Sequence, residues 1–498
     1  MKGSSLRSIC RLFAFLFMGL ASCGGDGGGD NPPPAFSIDP PGPVVVRKGE
    51  TLQFNTDPAG LAVTWSVEGG SGNGSIAASS GLYTPPSTLP VDPQIVVQAT
   101  LDGTNATALV ELRTGDSLAF GAEEPVNDTT IVGFNVGGVH DFLAAREGSL
   151  QVDAAWASGD GVAPGEDLLF AQSLDLAPFG AERNLTDDLD TSRQLESLDT
   201  SADLNPGILY GEGNNIQFLF SADQGATFGA PVPVDPGPDS QNYADLAFDG
   251  LGNAHVSWVN DFFQVRYSRS NDNGVTWSDP PTLLTDESDA RCSTGIAVSD
   301  DGETVHLCYA EGICGSGTDR GEGVIVVATS GDGGQSFPTR AEVPGSADSA
   351  SCRVAIAPSG EVYVSYKKGD EVFLAKSANG GASFQGGTTV NTNPTNEDEF
   401  LYPYMAVDSL GNIDMVWISD PDDDGDRNSL RYARSVNGGT SFSPDIEIAN
   451  AGGGTFIRAV GLVHDVSGRL HLTYTTNRQD PDPVNPPFEV DVFYLRAE

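Results

Sequence analysis

The chain spells one short pattern five times. "SADQGATFGAP" begins at 221, "SNDNGVTWSDP" at 270, "SGDGGQSFPTR" at 330, "SANGGASFQGG" at 377 and "SVNGGTSFSPD" at 435. Each reads Ser-x-Asp/Asn-x-Gly-x-Ser/Thr-aromatic, and those residue types describe a closed hairpin turn. Asp223, Asp272, Asp332, Asn379 and Asn437 can accept backbone N–H bonds within the turn. The glycine takes a positive φ at little cost, the hydroxyls tie the hairpin, and Phe or Trp tucks beneath it. These positions read as structural rather than catalytic.

The boxes belong to a longer unit. A strand precedes each one ("IQFLFS", "QVRYSRS", "VIVVATS", "EVFLAKS", "LRYARS"), and before it lies another strand ending in an aromatic. Two further units lack the box, so the end aromatics number seven: Trp156, Tyr210, Trp258, Tyr309, Tyr366, Trp417 and Tyr474, spaced 48–57 residues apart. A four-stranded antiparallel sheet with its turns needs about 50 residues, and such sheets repeated radially make a β-propeller. The aromatics are expected to pack between neighbouring blades. The last unit stops after its third strand, while "LAFGAEEPVN" (118–127) closely matches "ATFGAPVPVD" (226–235), the outer strand after a box. Residues 118–126 are therefore expected to complete the final blade. This reading predicts seven blades over 115–498; six, with one irregular unit, is the alternative. With 61 Gly, 32 Pro and short alternating β-branched runs throughout, the class is all-β.

The front of the chain is built differently. Lys2, Arg7 and Arg11 flank the start of an apolar run, "LFAFLFMGL", too short to cross a bilayer. It leads into "LASC" at 20–23, which resembles a bacterial lipobox. The resemblance implies a signal peptide over 1–22, lipidation at Cys23 and a lipid anchor as the sole membrane contact. Gly24 follows Cys23 and favours the outer membrane if the source is Gram-negative; the bland alternative is a signal peptide with an incidental cysteine. Residues 23–34, rich in Gly and Pro, read as a tether. Residues 35–114 carry six or seven short strands with Trp65 as a core aromatic, the patterning of a β-sandwich. The run "VTWSVEGGSGNGSIAASSGLYTPP" resembles bacterial Ig-like domains, which implies a spacer or adhesion unit.

Charge narrows the partners. With 25 basic and 69 acidic residues the net charge is −44, which repels phosphate backbones and excludes nucleic acid as a partner. The acidity serves solubility, or some carboxylates hold cations. "DPDDDGD" (420–426) matches the first half of a calcium loop: Asp420, Asp422, Asp424 and Asp426 offer oxygens and Gly425 the turn. Arg431 stands where the loop's closing Glu belongs, so Ca2+ and a solvated acidic loop both remain open. Four cysteines lie beyond Cys23: Cys292, Cys308, Cys314 and Cys352. In an exported chain they imply one or two disulfides, with three connectivities if both form.

The boxes match the Asp-box, or BNR, repeat of the sialidase superfamily. That resemblance implies boxes on the face opposite the ligand site, an arginine triad gripping a substrate carboxylate, and a Tyr nucleophile paired with Glu. Arg291, Arg353 and Arg458 fall near the starts of inner strands and are the ligand-binding candidates. Glu397, Glu399, Tyr402 and Tyr404 are the catalytic ones. The chain has no [FY]-R-I-P segment near its first unit, and seven units stand where sialidases have six. The leading expectation is an Asp-box propeller behind an Ig-like sandwich that binds a glycan or cell-surface protein without chemistry. An exo-acting sialidase-type hydrolase is the alternative, and a structural envelope module the third.

Overall fold

The computed structural model describes residues 36–127, 131–132, 143–145, 149–159, 166–186, 193–237, 241–260, 264–278, 281–284, 291–312, 323–392, 403–420, 428–452, 455–477 and 489–498. All of its regular structure is strand, apart from one 3-10 turn at Gly70–Asn73.

Strict alternation in "QIVVQATL" (Gln94–Leu101) buries Ile95, Val97 and Ala99 on one face. That strand joins Val44–Arg47, Thr104–Arg113 and Thr64–Val67 in one sheet, and Leu52–Gln53, Leu82–Thr84 and Ser75–Ile76 form a second. Both contribute to one core containing Phe54, Trp65 and Tyr83. With the pair Ser37–Asp39 and Asn55–Asp57 as a third, the front module is three small sheets around a shared interior.

Beyond it, four-stranded antiparallel sheets follow one another seven times, spanning 143–184, 193–233, 241–283, 291–342, 349–389, 404–450 and 457–497. A single residue pair, Gly323 with Ser349, links the fourth sheet to the fifth. The first strand of each sheet packs against the first strand of the next, and the seventh returns to the first, so the chain forms an all-β propeller. The seventh sheet takes its fourth strand, Glu124–Pro125, from the front of the chain, where Glu124 faces Tyr494 and Pro125 faces Phe493. Ala119 and Glu498 exchange backbone bonds of 3.1 and 3.2 Å beside it. One sheet is therefore completed from both ends of the chain, which covers an edge that would otherwise be open.

The seven aromatics stand two or three residues before the ends of the second strands and are all at most 2% exposed. Trp258 of the third sheet shares a core with Leu209 and Phe218 of the second, and Trp417 of the sixth with Tyr363 and Leu374 of the fifth. They are packing residues between blades, each burial contributing about 1.5–3 kcal/mol.

Each box joins the third and fourth strands of its sheet. In the first, Ser221 Oγ donates to Asp223 Oδ1 (2.9 Å) and accepts from Gly225 N (2.7 Å), while Thr227 N reaches Asp223 Oδ1 (2.7 Å). The same three bonds recur around Asp272, Asp332, Asn379 and Asn437. The box glycine does a second job. A Cβ on Gly225, Gly274, Gly334, Gly381 or Gly439 would strike a side chain of the preceding sheet: Gln172 and Phe170, Phe218, Tyr267, Thr329 and His306, or Leu374. The residue before the box position completes the stitch at three places. Gln172 donates to Gln224 O (3.0 Å), Arg269 to Gly333 O (3.1 Å) and Arg496 to Leu176 O (3.3 Å). Each hairpin is thus closed on itself and pressed onto its neighbour.

The two jobs can be separated by substitution. Gly334 (φ +82°) abuts the buried Tyr267 ring, whereas Gly252 (φ +86°) has open space around its missing side chain. Gly252→Ala should cost only the backbone strain, about 1 kcal/mol. Gly334→Ala should cost about 2–4 kcal/mol because the ring must also move. Chemical denaturation of the two variants beside the native chain checks the difference.

Candidate functional site

Because the boxes and the turns between first and second strands share one face, the inner strands begin on the opposite face, here termed the mouth. Inner strands are Arg193–Thr200, Gln241–Phe248, Arg291–Val298, Ser349–Ile356, Tyr404–Val407 and Ile457–His464 in sheets two to seven. Five of them slip register near the mouth: at Leu195/Ser197, Asn242/Asp245, Cys292/Thr294, Ala350/Arg353 and Arg458/Val460. Such bulges re-aim side chains. Tyr243 (φ 54°) and Ser351 (φ 60°) carry the left-handed backbone within two of them.

The re-aimed residues form a polar belt across consecutive sheets. Glu196 Oε2 accepts from Ala244 N (3.1 Å), Ser197 Oγ from Leu246 N (3.2 Å) and Asp199 Oδ2 from Phe248 N (2.7 Å). Those three alternate amides point away from their own sheet partner, and side chains of the preceding sheet satisfy them. Ser197 also donates to Asp245 Oδ1 (3.0 Å), and Asp245 Oδ2 accepts from Ile296 N (3.0 Å), carrying the pattern one sheet further. Arg353 reaches back toward the same carboxylate, its Nη1 3.8 Å from Asp245 Oδ2. Gly295 lets the inner strands of the fourth and fifth sheets approach closely: a Cβ there would sit 3.1 Å from Cys308 Sγ and 3.3 Å from Cys352 O and Arg353 Cα. On its other side the Arg353 guanidinium stands 5.5 Å from the centre of the Tyr404 ring. The arginine side chain is 8% exposed. It is held between an acid and an aromatic face.

Burial governs the electrostatics of the belt. It pushes the Glu196 carboxyl up to about 8, against the single bond from Ala244. It also raises Asp245, although Arg353 and the Ile296 amide pull the other way. Tyrosines apart, the ionisable side chains described on the inner strands are Glu196, Asp199, Asp245, Arg353 and His464. All are engaged, His464 Nε2 lying 2.7 Å from Asp414 on the box side.

The structure joins two of the sequence candidates, Arg353 and Tyr404. Arg353 faces Ser365, Arg291 faces Glu311 and Arg458 faces Thr475. Measured against the end aromatics Tyr366, Tyr309 and Tyr474, these positions differ by up to three residues, roughly 10 Å of strand. The side chains of Arg291, Cys292 and Arg458 lie outside the description, as do Cys23, Cys314, Glu397, Glu399, Tyr402, Asp422, Asp424 and Asp426. Asp420 directly follows the strand Ile413–Ser419 and is buried. Arg431, at the loop's twelfth position, bonds Asp445 through Nε (3.0 Å). Among the described residues no three His, Cys, Asp or Glu groups could hold a metal ion, and no helix is long and apolar enough to cross a membrane. Cys308 and Cys352 form a disulfide (Cα–Cα 6.2 Å) that ties the second strand of the fourth sheet to the inner strand of the fifth, beside Arg353.

Sequence reasoning missed Glu196, Ser197, Asp199, Asp245 and Gly295. Their signal was positional: each cap stands 48–51 residues before the amide it serves, about one repeat.

Neither a known protein family nor any curated protein matches the sequence. Solved structures do match. A polysaccharide lyase described as an ulvan lyase has a TM-score of 0.50 at 12% identity, covering 74% of this chain and 95% of that one. An unknown-function protein from Dyadobacter fermentans scores 0.44 at 11% identity (76% and 99% covered). The intramolecular trans-sialidase from Ruminococcus gnavus, in complex with oseltamivir carboxylate, scores 0.37 at 13% identity (76% and 97% covered). At 12% identity the likeness to the ulvan lyase bears on the fold alone.

The Glu196 carboxyl supplies a pH test. Its folded-state value (about 8) lies above its ordinary 4.5, so folding favours the proton. Its contribution is full below about 4.5 and is lost as pH rises toward 8. Glu196→Gln should flatten that decline and raise Tm at pH 9 by about 2–4 °C over the native chain, with little change at pH 5. Thermal melts across pH 5–9 read this directly.

Proposed function

We propose that this chain is a lipid-anchored envelope protein whose propeller binds a glycan or a cell-surface protein at the mouth, without chemistry. One observation carries the non-catalytic part: the belt's acids and its arginine are already spent on holding the ring. Arg353, which a sialidase-type site would need for a substrate carboxylate, is sealed between Asp245 and Tyr404. Tyr404 is 4% exposed, poorly placed for a nucleophile. Glu196 and Asp245 cap backbone amides, and a group so engaged is a weak proton shuttle. Binding is supported by the bulged inner strands, which crowd polar groups toward one end of the ring. The anchor rests on the lipobox resemblance at "LASC" and the tether behind it. Calcium at 420–426 remains part of this proposal as an accessory to the mouth.

Two assays on the full chain separate the readings. A fluorogenic sialoside, with calcium and then with chelator, should show no turnover above buffer. Clear turnover abolished in Arg353→Ala would replace this proposal with the hydrolase. A glycan array should retain the protein on a defined subset of sugars. No retention on any of them, and none on cell surfaces, would leave the structural envelope module.

A further inference from the structure

The front module is fastened to the propeller, and the fastening lies on one particular face. Arg469 is fully buried in the turn between the first two strands of the seventh sheet, on the box face. Its Nη2 donates to two carbonyls of the front module, Leu89 O (3.0 Å) and Pro90 O (2.6 Å). Its Nη1 reaches Asp465 Oδ2 (3.2 Å) and Ser467 Oγ (3.0 Å), and its Nε reaches Glu498 Oε2 (3.4 Å). Asp465 is held in turn by His471 Nε2 at 3.3 Å, and His471 Nδ1 lies 2.6 Å from the Tyr494 hydroxyl. Thr114, at the junction, bonds the same turn twice, to Ser467 O and Gly468 O (both 3.1 Å). Lys48 Nζ adds Glu498 O at 3.4 Å.

A guanidinium with no solvent exposure is tolerated only when its donors are satisfied. Two of the acceptors here belong to the other module. Lifting the front module away would break both of these bonds, together with the two from Thr114 and the one from Lys48, and would open the guanidinium to water. We infer that the front module is a rigid pedestal seated on the box face, with Arg469 as its bolt, and that it fixes which face of the propeller is presented. The chain before residue 36 joins the pedestal, so the mouth is turned away from whatever holds that segment. This goes beyond the proposed function, because it stands whether the mouth binds, catalyses or does neither.

The junction contains a built-in reporter. Arg113 precedes Thr114 and is 7% exposed, so trypsin should cut the native full chain there only slowly. Arg469→Met, which keeps the bulk and removes the donors, should speed cleavage after Arg113 by at least about tenfold. Small-angle scattering of the uncut variant should broaden from one compact particle toward a spread of inter-module distances. Thr114→Val serves as a second variant that leaves the buried charge in place, with a smaller rise in cleavage expected. Fast cleavage of the native chain after Arg113 would overturn the pedestal. So would cleavage and scattering unchanged in both variants. If Arg469→Met simply unfolds its sheet, loss of near-ultraviolet circular dichroism reveals it and Thr114→Val decides the matter.

Discussion

The innermost strand of a radial sheet has one edge with no strand beside it, and its outward amides must find acceptors. A buried amide left without one costs about 1–3 kcal/mol. Here side chains of the preceding sheet supply them: Glu196, Ser197 and Asp199 for Ala244, Leu246 and Phe248, and Asp245 for Ile296. These bonds tie the second sheet to the third and the third to the fourth. The boxes do the corresponding work on the other face, where carbonyls of one hairpin receive donors from the sheet before it. The ring is therefore stitched at both ends, with aromatics packed in between.

That division of labour limits what the mouth can do. A catalytic site needs an acid, base or nucleophile whose proton is available to a substrate. The belt instead holds its acids against amides and its arginine against Asp245. These bonds join the described inner strands of the second, third and fourth sheets to one another.

The contrast between legible and illegible features follows from range. Each box closes on itself within four residues through Ser, Asp/Asn and Gly, so its pattern could be read directly. The end aromatics recur once per sheet, and the near-copy at 118–127 pointed to a strand that now pairs with the last one. The caps are equally regular but bridge consecutive repeats with different chemistry each time (Glu, Ser, Asp), so no motif marks them. Arg353 looked available because its partner lies two sheets earlier, and nothing in "SCRVAIAP" announces Asp245. The bulges that aim both residues are backbone events without a residue signature beyond a scattered positive φ. Arg469 escaped notice for a related reason. Its two acceptors in the front module are main-chain carbonyls about 380 residues away, which carry no side-chain identity at all.

The sharpest measurement is amide hydrogen exchange resolved at Ala244, Leu246 and Phe248, in the native chain and in Asp199→Ala. If side chains of the second sheet cap these edge amides, all three exchange as slowly as the paired amides of Ala254–Asn260. Phe248 alone should then speed up by about tenfold or more in the variant, reflecting a lost bond of about 1.5 kcal/mol or more. If the three exchange quickly in the native chain, or if Asp199→Ala leaves Phe248 unchanged, the ring is not held by side-chain caps and the reading of the mouth built on them is wrong.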